Sequence, residues 1–157
     1  MEKIAIVTGA SRGLGRGIAL TLAKEGGFKV YSTARNGKAL DELSNDASEN
    51  ETGGSVVPYV LDQNDDSAVE QFVSIVIANE GKIDVLVNSA YGGLVAIAPH
   101  FGKPFWKRPT SVYDEAMNIG VRSSYVMSKF VAPVMVEKNK GLIVQTSSLG
   151  SFIYAFD

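Results

Sequence analysis

The chain has 157 residues, of which 45% are hydrophobic and 20% charged, and its net charge at pH 7 is −2. This composition predicts one ordinary globular domain, residues 1–157, with enough apolar material for a core. The slightly negative charge argues against nucleic acid or a membrane surface as a partner. Because the chain has no cysteine and a single histidine, His100, we expect neither a disulfide nor a metal site.

No secretory signal is expected at the amino terminus. Residues 1–4 lead directly into a strand-like segment, and no apolar stretch reaches the roughly 18 residues that a membrane-spanning helix needs. A cytoplasmic or cytosol-facing protein is therefore expected. On that expectation the triplet Asn50-Glu51-Thr52 is a chance match to the glycosylation sequence.

Short apolar runs alternate along the chain with longer amphipathic segments. Strands are predicted at Ile4–Thr8, Lys29–Thr33, Ser55–Leu61, Asp84–Asn88 and Leu142–Thr146. Helices are predicted at Gly13–Glu25, Gly37–Asn50, Asp65–Glu80 and about Thr110–Lys138. Pro133 is expected to kink or interrupt the last of them. Such strict alternation predicts an α/β fold, a doubly wound parallel sheet with helices on both faces.

One long segment, Tyr91–Pro109, is rich in glycine, proline and aromatic residues and is predicted to be irregular. Segments of this length are usually functional or mobile. Its aromatic residues stand beside three cations and could form a nucleic-acid or membrane patch. The net charge of the chain favours a loop that packs Phe101, Phe105 and Trp106 near the mouth of a site.

A glycine-rich turn follows the first predicted strand, in the stretch VTGASRGLGRGIAL. Gly9, Gly13 and Gly15 lie where this strand gives way to a helix. A turn of this kind lets backbone N–H groups approach a pyrophosphate, which the helix dipole also favours. Its spacing differs from the common G-x-G-x-x-G, so the spacing alone leaves open a helix start that simply requires small residues.

The turn Thr8–Gly15 resembles the cofactor-binding signature of the short-chain dehydrogenase/reductase family, T-G-x-x-x-G-[I/L]-G. Further positions of the family pattern recur in order along the chain: Asp62, Asn88-Ser89-Ala90, Asn118 and Thr146-Ser147-Ser148. Ser89 and Tyr91 depart from the family's N-N-A-G, which has asparagine and glycine there. Two segments, FWKRPTSVYDEAMNIGVRSSY and GLIVQTSSLGS, are similar to one subgroup of the family.

This resemblance implies both a cofactor site and part of a catalytic site. The residues expected to bind the cofactor are Gly9, Ser11, Arg12, Gly13, Leu14, Gly15, Arg35, Asp62, Asn88 and Ala90. Asp62 matches the acidic residue that contacts the adenine ring. Ser148 and Asn118 match the catalytic serine and asparagine, which position the substrate oxygen and support a water relay.

Charge predicts which coenzyme is used. Sites selective for NAD(H) place a carboxylate at the end of the second strand, where it accepts hydrogen bonds from the ribose. In VYSTARNG no acidic residue occupies that place, and Arg35 lies there instead. Together with Arg12 in the glycine turn, it would bind a 2′-phosphate through charge-assisted hydrogen bonds. NADP(H) is therefore predicted over NAD(H).

The family's proton donor is a tyrosine in a Tyr-x-x-x-Lys pair, which works beside hydride transfer from the cofactor. In the family this pair follows the catalytic serine by more residues than separate Ser148 from Asp157. Tyr154 comes too early and is interpreted as an aromatic residue of the loop. The chain is thus expected to be truncated and inactive as it stands, with uncovered sheet surface that promotes association or poor solubility.

Two classes of function stay open. The first is an oxidoreductase acting on a small carbonyl or alcohol substrate, which would be a homo-oligomer when complete, as its relatives commonly are. The second is a nucleotide-binding or regulatory protein that keeps the cofactor site without catalysis. The substrate itself is not predicted, because the family's substrate loop belongs to a later part of the fold.

Overall fold

A computed structural model describes residues 2–49 and 51–148 of the chain. Across these residues, five strands form one parallel sheet in the order β3-β2-β1-β4-β5. The doubly wound α/β fold is confirmed, and each predicted strand end lies within one residue of the observed one. The strands are β1 (Lys3–Thr8), β2 (Phe28–Ala34), β3 (Ser55–Val60), β4 (Val85–Asn88) and β5 (Leu142–Gln145).

Helices connect the strands, and two of them begin at side-chain caps. They are α1 (Gly13–Lys24), α2 (Gly37–Ser48), α3 (Asp66–Glu80), α4 (Gly93–Ile97), α5 (Thr110–Glu115) and α6 (Ser123–Glu137). Asn36 and Asp65 each accept a hydrogen bond from a backbone N–H three residues ahead, so α3 begins one residue later than predicted. The predicted end of the second helix, Asn50, lies outside the described residues.

The segment predicted to be irregular contains short helices. Besides α4, it has single 3₁₀ turns at Ala98–His100 and Phe105–Lys107. Phe101, Phe105 and Trp106 are 60%, 76% and 70% exposed, and their predicted packing near the mouth of a site stays a prediction. Phe105 and Trp106 pack edge to face against each other, 5.4 Å between ring centroids. Helices this short offer too little surface to bury several large rings.

The last predicted helix is continuous but not uniform. Between α5 and α6, residues Ala116–Arg122 form wider π-helical turns, which insert extra backbone into the helix. The interruption expected at Pro133 is not found, since α6 continues through this exposed residue to Glu137. At an exposed position, water can satisfy the carbonyl that proline leaves without an N–H partner.

The core has one layer on each face of the sheet, as the alternation along β1 requires. Ile4 and Ile6 are buried together with Phe72 of α3 and Met127 of α6. Ala5 and Val7 point to the other face, where side chains of α1 and α2 cover them. Within the described ranges, no helix combines the length and the apolar character needed to cross a bilayer.

Ionic contacts fasten the amino ends of the strands. The Asp84 carboxylate accepts a hydrogen bond from the Ile4 backbone N–H at 2.9 Å and pairs with Lys82 at 2.9 Å and Lys140 at 3.5 Å. Burial alone would raise the pKa of Asp84, but these donors and charges hold it below its usual value. Nearby, Lys29 and Tyr31 hydrogen-bond to Glu80 and lower the pKa of its carboxyl group.

Candidate cofactor-binding cleft

A cleft of about 500 Å³ lies at the carboxyl ends of the strands. Its walls come from the β1–α1 turn and from the residues that follow β2, β3, β4 and β5. Nine of the ten residues predicted to bind the cofactor line it: Gly9, Ser11, Arg12, Gly13, Leu14, Gly15, Arg35, Asp62 and Ala90. The fold therefore brings these distant positions to one place, as expected for a crevice at strand ends in an α/β sheet.

Thr8 and Gly9 join the glycine turn to the end of β4. The buried Thr8 hydroxyl accepts hydrogen bonds from the backbone N–H groups of Ser89 at 3.0 Å and Ala90 at 3.1 Å. Gly9 has a φ of 68°, and a Cβ there would lie 2.8 Å from Cα of Ala90. No side chain fits at this position, because the neighbouring backbone already occupies the space.

The other two glycines of the turn serve different purposes. A Cβ on Gly15 would lie 2.5 Å from the carbonyl oxygen of Gly9, so α1 packs directly on the turn. Gly13 has a φ of 56°, and apart from its chain neighbours and the adjacent backbone of α1 no heavy atom lies within 4 Å of its Cβ position. Contacts within the protein thus explain Gly9 and Gly15, and only Gly13 presents bare backbone to open space.

Two cations of the cleft have no carboxylate partner among the described residues. Arg12 and Arg35 are exposed, and neither forms an ion pair with a described residue. Arg16, one turn into α1, pairs instead with Asp46 of α2. No acidic side chain stands at the end of β2, and the two guanidinium groups outnumber the one carboxylate that lines the cleft, Asp62, so this side of the cleft suits an anion.

Asp62 occupies the β3 end of the cleft and belongs to a tight turn. Its side chain accepts the backbone N–H of Asn64 at 3.0 Å. The next residue, Gln63, was missed by sequence reasoning although it also lines the cleft. It is 7% exposed, and its amide donates to Thr33 Oγ1 at 3.3 Å. Its position beside Asp62 was the available signal.

Asn88, the tenth predicted cofactor residue, lies behind the cleft wall. Its side-chain amide donates to Ser128 Oγ at 3.0 Å and to the Ser124 carbonyl at 3.5 Å. Its own carbonyl accepts the Thr146 N–H and hydroxyl, each at 3.1 Å. Asn88 therefore ties β4 to α6 and to the end of β5, and its predicted contact with a cofactor stays a prediction.

The two predicted catalytic residues are not gathered in the cleft. Ser148 is exposed and follows Thr146 and Ser147, which line the cleft. Asn118 is exposed on the π-helical segment and lines a neighbouring depression together with Asp66 and Arg122. The Arg122 guanidinium binds both oxygens of Asp66, at 2.7 and 2.6 Å, and this hydrogen bonding lowers the pKa of Asp66.

A tyrosine–lysine pair with the family's spacing occurs elsewhere in the chain, at Tyr125 and Lys129 of α6. Tyr125 is 69% exposed, and neither residue is among those that line the cleft. Tyr154 lies outside the described residues. Among the described ranges, no group of three or more His, Cys, Asp or Glu side chains is placed to hold a metal ion.

The sheet order and the position of the cleft define a Rossmann-like α/β protein. A family model described as short chain dehydrogenase matches residues 3–156, and the chain belongs to this family. Mouse (Mus musculus) dehydrogenase/reductase SDR family member 1 is 43% identical over 157 residues, and the human (Homo sapiens) protein is equally similar. This agrees with the subgroup that two segments resembled. The match covers 99% of this chain and 49% of each relative, so the chain spans about half of their length.

Solved structures of the family superimpose closely. A metagenomic short-chain oxidoreductase in complex with NADP has a TM-score of 0.82 at 28% identity, covering 98% of this chain and 66% of that one. A 7α-hydroxysteroid dehydrogenase complexed with NADH and 7-oxo glycochenodeoxycholic acid has a TM-score of 0.83 at 28% identity, covering 98% and 56%. Both coenzymes thus occur among these structural neighbours.

Proposed function

We propose that residues 1–157 form the coenzyme-binding part of an NADP(H)-dependent oxidoreductase, which transfers hydride between nicotinamide and a carbonyl or alcohol substrate. One observation carries the choice of coenzyme. Arg12 and Arg35 line the same cleft without carboxylate partners in the described chain. A 2′-phosphate between two guanidinium groups would be held by paired, charge-assisted hydrogen bonds.

The order of the strands supports an orientation for the coenzyme. The glycine turn follows β1, in the middle of the sheet, and would receive the pyrophosphate. Arg35 and Asp62 follow β2 and β3 on one side, where the adenosine half would lie. Thr146 and Ser147 follow β5 on the other side, so the nicotinamide half would lie toward Ser148.

Isothermal titration of the chain with NADP⁺ and with NAD⁺ tests this proposal. Arg35→Asp should weaken NADP⁺ binding by about tenfold or more and leave NAD⁺ binding equal or stronger, since the carboxylate repels a phosphate and accepts from a ribose hydroxyl. Lys138→Asp makes the same charge change at the opposite end of the sheet and should alter neither affinity. An unchanged preference in the Arg35 variant would contradict the choice of NADP(H).

Turnover by residues 1–157 alone is not expected. Among the described residues, the Tyr-x-x-x-Lys pair, Tyr125 and Lys129, does not line the cleft, so no described tyrosine of the cleft is paired with a lysine to transfer the proton. Steady-state NADPH oxidation with a panel of aldehydes and ketones should stay at the rate without protein, while coenzyme binding persists. Robust carbonyl reduction by this chain would contradict the expectation.

The position of Tyr125 and Lys129 outside the cleft also favours a second candidate, a nucleotide-binding protein without catalysis. Reading the gene beyond codon 157 separates the two functions. A Tyr-x-x-x-Lys pair a few codons further on supports the oxidoreductase, and its absence from the whole reading frame supports the binding protein.

A further inference from the structure

Tyr91 stands where the family pattern N-N-A-G has glycine, and the structure shows where this larger side chain lies. The residue comes three positions after the end of β4 and lines the cleft. It is 56% exposed, so more than half of this aromatic residue stays accessible at the carboxyl edge of the sheet. Neither the phosphate contacts nor the predicted catalytic residues account for it.

Two glycines form a seat for the ring. A Cβ on Gly120 of the π-helical segment would lie 2.9 Å from Cδ2 and 3.2 Å from Cε2 of Tyr91. A Cβ on Gly93, the first residue of α4, would clash with the Tyr91 hydroxyl. The ring therefore packs on backbone from two helical segments that lack side chains at the contact. Such packing restrains the ring while leaving more than half of the residue exposed.

Strand order places this ring along the path of the bound coenzyme. With the pyrophosphate at the turn after β1 and the adenosine beside Arg35 and Asp62, the other half must cross the end of β4 to reach β5. Tyr91 lies at that crossing, in the same cleft as Thr146 and Ser147. A flat aromatic surface there can pack against a nicotinamide ring or its ribose and exclude water from one side.

We propose that the Tyr91 ring, seated on Gly93 and Gly120, is a contact for the nicotinamide riboside half of the coenzyme. This inference rests on the proposed function. It assigns a binding role to a side chain at a position where the family pattern has none.

A half-ligand comparison tests the inference. Titration calorimetry is carried out with NADP⁺ and with adenosine 2′,5′-bisphosphate, which carries the 2′-phosphate and the adenosine but no nicotinamide riboside. Tyr91→Ala should weaken NADP⁺ binding about tenfold and change binding of the bisphosphate by less than about twofold. Tyr91→Phe keeps the ring and should bind both ligands as the wild type does.

Tyr113→Ala is the matched control, because Tyr113 is 65% exposed and is not among the residues that line the cleft. It should leave both affinities unchanged, and thermal melting of each variant monitors folding. As a spectroscopic measure, the fluorescence of bound NADPH should fall in Tyr91→Ala and not in Tyr91→Phe, because the nicotinamide loses an apolar neighbour.

The outcomes separate this inference from the proposed function. Equal weakening of both ligands by Tyr91→Ala, no weakening of either, or weakening by Tyr91→Phe as well would overturn the role of the ring while the coenzyme site stands. A wild-type chain that binds neither ligand would overturn the proposed function and the inference with it.

Discussion

At the scale of single residues, Thr8 links two walls of the cleft, the turn after β1 and the segment after β4. Thr8 is 1% exposed, and its hydroxyl accepts hydrogen bonds from two backbone N–H groups of the segment after β4. Backbone donors at strand ends have no partner in the sheet, so this hydroxyl replaces a missing ladder contact. The turn after β1 and the wall after β4 are thereby held at a constant distance.

Thr8→Val, which has nearly the same shape, should lower the free energy of unfolding by about 2 kcal/mol or more, because two buried donors lose their acceptor. Urea denaturation measures the change as a lower midpoint at an unchanged slope. Thr8→Ser keeps the hydroxyl and should cost about 1 kcal/mol for the lost methyl group. A valine variant as stable as the wild type would show that the two N–H groups find other partners.

Sequence spacing predicted the positions in the cleft better than the direction of each side chain. Arg12, Arg35 and Asp62 follow the ends of parallel strands, and parallel strands end at one edge of the sheet. Asn88 also ends a strand, yet its side chain turns toward α6. Strand alternation assigns a face to a residue but does not say whether a helix or a ligand covers that face, so the role of Asn88 required the tertiary structure.

At the scale of elements, two of the three glycines of α1, Gly15 and Gly17, lie two positions apart and pack in opposite ways. Gly15 is buried against the carbonyl of Gly9, whereas Gly17 is exposed and no atom beyond the adjacent backbone of α1 and its chain neighbours lies within 4 Å of its Cβ position. Their sequence contexts are alike. Only the first is required by contact with the turn.

Gly17→Ala should therefore stabilise the protein by about 0.5–1 kcal/mol, since alanine restricts the unfolded backbone and favours the helix. Gly15→Ala should destabilise it, because the added methyl group meets backbone that cannot move aside without opening the turn. Thermal melting compares the two variants. If both shift the midpoint in the same direction, the packing of α1 on the turn is not as described.

Elements with a clear sequence signal were predicted well, and those without one were not. The strands are short apolar runs rich in Val, Ile or Tyr, and the amphipathic helices α1, α2 and α3 have a period of 3.6 residues. The ends of both kinds of element agree within one or two residues where described. The 3₁₀ turns at Ala98–His100 and Phe105–Lys107 are too short to show any period. The π-helical turns at Ala116–Arg122 depend on contacts of the helix with its neighbours, which local pattern does not encode.

At the scale of the whole molecule, the two edges of the sheet differ in exposure. On β5, Leu142 is 56% and Ile143 39% exposed, and the strand pairs on one side only with β4 within the described chain. On the opposite edge, β3 alternates between covered and exposed positions. An open edge with consecutive exposed apolar residues is prone to pair with another chain.

We expect residues 1–157 to associate in a concentration-dependent manner through β5. Ile143→Lys should reduce the association, because a charged side chain on an edge strand disfavours pairing. Val60→Lys on β3 is the matched control, since Val60 is 62% exposed at the other edge and should leave the association unchanged. Sedimentation velocity over a range of concentrations provides the measurement. A wild-type chain that stays monomeric throughout would contradict the role of β5.

The ion-pair cluster of Asp84, Lys82 and Lys140 stabilises the sheet at the end remote from the cleft. The stabilising ion pairs therefore lie at the amino ends of the strands, and the candidate binding cleft lies at their carboxyl ends. Substitutions that strengthen this ion-pair cluster can raise stability to heat or acid without changing ligand selectivity, and substitutions that change selectivity need not weaken the cluster. Such a separation lets one fold acquire new specificities, because each end of the sheet can be altered while the other is kept.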